Sequence, residues 1–187
     1  MHRFILIILS IFLLNSVLAF ASYIDTDAET AVVIDATTGK VLFEKDKDKK
    51  TYPASMTKIM TTLIVFEKLS NGTLSLDDTF LVSEKAWKER EGSSMFVEVD
   101  KNIRVEDLLR GIIVQSGNDA CIVVAENIAG TEESFAKMMT KKAIDIGMTN
   151  TKFTNSTGMH DKNNFSTAYD LATVSYTHLT LPTICSV

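Results

Sequence analysis

The chain has 187 residues, 45% of them hydrophobic, with 19 Lys and Arg against 24 Asp and Glu for a net charge of −5. That acid excess argues against a nucleic-acid partner, and the length allows one substantial core and one domain. Three histidines without zinc-ligand spacing argue against a metallopeptidase, and no metal or cofactor is expected. At the N-terminus, Arg3 precedes an apolar run from Phe4 to Phe20 that ends Ala19-Phe20-Ala21. This fits a secretory leader over residues 1–21 with cleavage before Ser22; an uncleaved anchor is the competing reading, since the run sits at the lower edge of a bilayer span. Losing that leader removes one positive charge, leaving 18 against 24 and a net charge of −6. Ala31 to Asp35 and Lys40 to Phe43 flank a Thr-Thr-Gly turn and read as a β-hairpin. The alternating charges of Glu44 to Lys50 read as a solvated connection. Next comes a helix that is apolar almost all round, through Met56, Ile59, Met60, Leu63, Ile64, Val65, Phe66 and Leu69, with Pro53 at its start. Val105 to Val114, Asp119 to Ala129 and Glu132 to Ile146 read as further helices, the first with apolar positions Val105, Leu108, Leu109, Ile112 and Ile113. Gly130 and Gly147 end the last two. Strands followed by a helical block predict α+β packing. Cys121 lies among apolar neighbours and reads as a buried small residue; Cys185 falls in the tail, so no native disulfide is expected.

Chemistry enters through two short motifs. Ser55-Met56-Thr57-Lys58 is a Ser-x-x-Lys, a pattern that a chain of this length contains roughly once by accident. A second copy, Ser134 to Lys137, supplies the control: its serine and lysine lie opposite the apolar face of Phe135, Met139, Ala143 and Ile146, which marks a solvated surface. At Ser55 the context differs, because Ser55, Lys58 and Thr62 form one narrow polar stripe on a buried helix. A serine hydroxyl becomes nucleophilic when a base takes its proton, and burial favours the neutral amine that Lys58 needs for that task. Unpaired N–H groups at the helix start could stabilise negative charge on an attacked carbonyl oxygen. The second motif, Ser116-Gly117-Asn118, follows Ser55 by 61 residues at a helix-helix junction, where Gly117 permits a tight turn. Ser116 could relay a proton and Asn118 could hold a substrate carbonyl; the plainer reading makes both residues caps of the next helix. A Ser-His-Asp triad using His160 stays open too, although no Gly-x-Ser-x-Gly accompanies it.

Tyr52-Pro53-Ala54-Ser55-Met56-Thr57-Lys58, Glu91 to Phe96, Ser116 to Ala120, Asn155 to His160 and Thr167 to Asp170 together resemble the serine-type D-alanyl-D-alanine carboxypeptidases. These are the low-molecular-mass penicillin-binding proteins, and the likeness runs from about Thr30 to Ala172. It implies a β-lactamase/DD-peptidase-like α+β fold, with a helical block and a partial antiparallel sheet. Residues 22–172 would be a partial catalytic domain. The resemblance makes Ser55 the acylated nucleophile, Lys58 its base, Ser116 the proton relay and Asn118 the clamp on the substrate amide. The implied substrate is a peptidoglycan stem peptide ending in D-Ala-D-Ala, with β-lactams as covalent mimics. It also implies export to the bacterial periplasm or the outer face of the cytoplasmic membrane, with membrane attachment in a longer form. A β-lactamase, a D,D-endopeptidase and a non-catalytic binder of peptidoglycan or β-lactam remain alternatives. The related pattern adds a Lys-Thr-Gly strand, and none occurs in these 187 residues, so the C-terminal sheet strands are expected to be missing and turnover poor. Residues 173–187 read as a non-family tail, and Val174 to Val187 as neither helix nor strand.

Overall fold

A computed structural model describes residues 24–89 and 91–180, with side chains through Thr177. The leader expected over residues 1–21 and Cys185 lie outside the described residues. The expected hairpin forms from β1 (Ala31–Ile34) and β2 (Val41–Lys45), paired antiparallel with Ala31 opposite Lys45. Its turn is closed by Asp35, whose Oδ1 accepts from the Thr37 and Thr38 amides at 2.9 and 2.7 Å, an Asx geometry suited to a reversal. The second strand starts and ends later than expected, so Glu44 and Lys45 belong to it.

The apolar helix is α1 (Thr57–Ser70), and Met60, Leu63 and Val65 on it are fully buried. A short second pair, β3 (Thr79–Leu81) and β4 (Asn102–Arg104), brackets α2 (Glu84–Lys88). Neither announces itself in the sequence, since each is too short to show a period. The helical block follows as α3 (Val105–Gln115), α4 (Asn118–Ala129) and α5 (Glu132–Asp145), within a residue or two of expectation. Helix α4 is the centre of the domain: it packs on α1, α2, α3, α5 and β3. Residues Asn118 to Ala125 are accordingly buried on every face.

Two details of the block differ from expectation. Ile113, assigned to the apolar face of α3, is 59% exposed, and the buried face is Val105, Leu108, Leu109 and Ile112 with Gly111 between them. Gly111 is there for clearance, because a Cβ would sit 2.3 Å from the Met95 sulfur. At the junction, Ser116 itself takes the left-handed conformation (φ 55°), while Gly117 has an ordinary φ of −61°. Gly117 therefore serves close approach: a Cβ would meet Asp119 Oδ1 at 3.1 Å and the Gly111 carbonyl at 3.2 Å.

The tail reading is corrected in part. Helix α6 runs from Ala168 to Thr180, and its Leu171 and Val174 are buried where it packs on β1 and α1. Thr173, Ser175 and Thr177 have poor helix propensity, but their hydroxyls donate to the carbonyls one turn back, at 3.0, 2.8 and 3.0 Å. Tertiary packing outweighs propensity here. A bridge of Thr51 to Ser166 ties the segment before Ser55 to the segment entering α6, and a bridge of Lys152 to Phe165 ties the segment after α5 to it.

Candidate active site

Ser55 lies on a single 3-10 turn, Ala54–Met56, that runs directly into α1. Ala54 holds a left-handed φ of 46°, a conformation costly for a residue with a Cβ. What holds it there is the backbone of Gly158, packed so tightly that a Cβ on Gly158 would fall 1.8 Å from the Ala54 carbonyl oxygen. Sequence reasoning expected the first amides of the helix to face a developing oxyanion. Two of them are committed within the turn, Met56 N–H to the Pro53 carbonyl and Thr57 N–H to the Ala54 and Ser55 carbonyls. Among the described hydrogen bonds, this leaves the Ala54 and Ser55 amides of that turn as candidates.

Lys58 is 6% exposed, and its Nζ lies 3.4 Å from Ser55 Oγ. The same Nζ donates to the Thr157 carbonyl at 2.7 Å. Burial holds its pKa below that of an ordinary lysine, and the neighbouring Cys121 of α4 would oppose this only as a thiolate. Burial pushes that thiol up to about 12, so it stays protonated. Among the described residues no cation takes part in lowering Lys58; desolvation makes it a stronger candidate for a neutral amine. Thr62 turns its hydroxyl back to the Lys58 carbonyl at 3.0 Å and lines the same cleft one turn further on.

Ser55, Lys58 and Ser116 line one cleft of about 370 Å³, with Ile59, Ile112 and Ser175 of α6 among its other walls. Ser55 also borders a second hollow of about 430 Å³ shared with Asn118, Gly92, Ser93 and Thr157. The other three sequence-predicted residues thus flank Ser55 from two sides. The capping reading does not hold: the N-cap of α4 is Gly117, with no side-chain cap. Asn118, 6% exposed, instead donates through Nδ2 to the Glu91 carbonyl at 2.8 Å, and its amide donates to the Ser93 carbonyl at 2.8 Å. It is braced against the loop that forms the facing wall. His160 stands at the rim with its ring 5.2 Å from that of Tyr52, edge to face. Both border the second hollow.

Sequence reasoning counted Asn155 to His160 in the resemblance but gave no role to the Thr157 carbonyl, which is the Lys58 acceptor, or to Gly158, which is the seat for Ala54. It missed Asp119 as well, the buried carboxylate that organises the loop from Ser94 to Val97. Glycine in Ser-Thr-Gly was the available signal for the first, and adjacency to Asn118 for the second.

A serine one turn from a buried lysine, set in a helical block beside an antiparallel hairpin, is an arrangement in which an amine could activate a hydroxyl. The chain belongs to the D-alanyl-D-alanine carboxypeptidase family (peptidase S11), whose model matches residues 18–184. It is 44% identical over 146 residues to the D-alanyl-D-alanine carboxypeptidase DacF of Bacillus subtilis, covering 78% of this chain and 37% of the relative. Against DacC of Escherichia coli the identity is 41% over 151 residues, covering 78% and 38%. The crystal structure of DacD from Francisella tularensis superposes with a TM-score of 0.85 at 37% identity, covering 89% of this chain and 40% of that one. The chain therefore spans about two fifths of the length of the relatives it matches.

Proposed function

We propose that this chain carries the nucleophile half of a serine D,D-carboxypeptidase that trims the terminal D-alanine from peptidoglycan stem peptides. The observation that carries the reading is the buried Lys58 amine beside Ser55, in a cleft also lined by Ser116. In the proposed sequence, neutral Lys58 takes the Ser55 proton as Oγ attacks the carbonyl of the penultimate D-alanine. The C–N bond breaks, and the departing D-alanine amine takes a proton through the Ser116 hydroxyl. Water then attacks the ester, which releases the shortened peptide and restores the Ser55 hydroxyl. Asn118 would hold the amide of the bound peptide. A β-lactam would enter the same path at the first step, its ring opening onto Ser55. Substrate, β-lactam and an exported location beside the cell wall belong to this reading together.

The test is intact-mass analysis of the 187-residue chain after exposure to benzylpenicillin, with peptide mapping of the adduct. The expected result is one penicilloyl group on Ser55, lost in Ser55→Ala and formed far more slowly in Lys58→Ala. An adduct that persists in Ser55→Ala overturns the assignment of the nucleophile. Absence of any adduct on the unaltered chain turns the reading to non-catalytic binding.

A further inference from the structure

Glu132 opens α5, where a first-turn acid is favourable to the helix dipole. In the fold its side chain is only 10% exposed. Oε1 accepts from both the amide and the hydroxyl of Ser156, at 3.0 and 2.8 Å. Oε2 accepts from Lys85 Nζ of α2 at 2.9 Å. Ser156 is held from the other side as well, where the Thr61 hydroxyl of α1 donates to its carbonyl at 2.7 Å.

The two residues after Ser156 connect these bonds to the reaction centre. The carbonyl of Thr157 is the acceptor for Lys58 Nζ. Gly158 is the seat of Ala54, the residue before the nucleophile. Three consecutive residues thus touch, in order, Glu132, the candidate base and the nucleophile turn. Lys85 extends the tie to α2, which leads into the Glu91 and Ser93 carbonyls that brace Asn118.

We propose that Glu132 is a positioning residue for the reaction: by gripping Ser156 it fixes the Thr157 carbonyl and Gly158, and through them Lys58 and Ser55. The inference rests on the reading of Lys58 as the base. The role belongs to the reach and acceptor geometry of the side chain rather than to its charge. A bond to the Ser156 amide and hydroxyl can be kept by a neutral acceptor of the same length, and cannot be kept by a shorter carboxylate.

Two substitutions separate geometry from charge. Glu132→Gln keeps the reach toward Ser156 but loses the charge and the oxygen that accepts from Lys85; Glu132→Asp keeps the charge and draws the oxygens back by one methylene. Two readouts apply to each: the NMR titration midpoint of the Lys58 ε-methylene, assigned with Lys58→Arg, and the rate of benzylpenicillin acylation. Cys121 is the titratable neighbour of Lys58 and remains a neutral thiol through this range. The expected result is that Gln stays within about threefold of the parent rate with an unchanged midpoint. Asp should slow acylation by about ten- to a hundredfold, the cost of a small misplacement of a catalytic group. It should also raise the Lys58 midpoint by about one pH unit, as the loosened loop readmits water. The opposite order, with Gln impaired and Asp intact, would make the role electrostatic and overturn the proposal. Equal midpoints and rates in all three proteins, with only thermal stability altered, would reduce Glu132 to a fold contact. If the parent takes up no penicillin, the proposed function fails, while the Lys58 midpoints still decide this inference.

Discussion

Among the described glycines, Gly158 is the one a Cβ would crowd most. Its φ of 86° lies in the left-handed region, and a Cβ would sit 1.8 Å from the Ala54 carbonyl oxygen and 2.4 Å from its carbon. Gly158→Ala therefore requires backbone movement, and the backbone it displaces carries Ser55. The expected loss is about 3 kcal/mol or more of stability by overpacking and strain combined. Urea denaturation should show that loss alongside a penicillin acylation rate lowered by at least about a hundredfold. An Ala variant with the parent's rate would show that Ala54 does not depend on this contact. The same residue marks the limit of what the sequence discloses. Ser55 and Lys58 are legible because they are one helical turn apart on an element whose burial shows in its composition. Thr157 lies 99 positions from Lys58, and no local spacing announces that its carbonyl completes the site.

Elements were legible in proportion to their length and periodicity. Helices α3, α4 and α5 declared themselves through apolar recurrences and terminal glycines, whereas β3, β4 and α2 are three to five residues each and offered no period. Helix α6 was missed for a different reason: its β-branched and hydroxyl residues point away from helix, and only long-range burial of Leu171 and Val174 makes the helix the better choice. Two neighbouring positions on α6 test this dependence on burial. Val174 is 1% exposed within the core, while Tyr176, two residues on, is 42% exposed. Val174→Ala should cost about 2 kcal/mol, a fall of about 4–8 °C in Tm for a domain of this size. Tyr176→Ser should stay within about 0.5 kcal/mol. Equal, small effects of the two substitutions in a thermal melt would mean that α6 does not dock on β1 and α1 in solution.

At the scale of the whole molecule, the helical centre and the facing wall of the cleft are joined by one buried carboxylate. Asp119, fully buried at the start of α4, accepts from the Ser94 hydroxyl at 2.6 Å and from the amides of Met95, Val97 and Ala120 at 3.0, 3.0 and 2.9 Å. Burial pushes its carboxyl up, and these four donors, led by the Ser94 hydroxyl, outweigh burial and hold it below the ordinary aspartate range. A carboxyl depressed in the folded state binds its proton less readily there than in the unfolded chain, so stability rises with pH across the interval between the two values. Its contribution is fully present above the unfolded value, about pH 4, and is lost as pH falls through the lower folded value. Asn at this position offers one acceptor oxygen where the carboxylate offers two, and its amide would face backbone N–H groups. Asp119→Asn should therefore cost about 2 kcal/mol at pH 7, where the donors lose a charged acceptor. The gap between variant and parent should then narrow as pH drops below about 4, since the parent loses the ionised group that the variant never had. Urea midpoints from pH 7 to pH 3 measure both quantities. A constant offset between the two proteins across that range would show that the Asp119 carboxylate is not what ties the Ser94 to Val97 wall to α4.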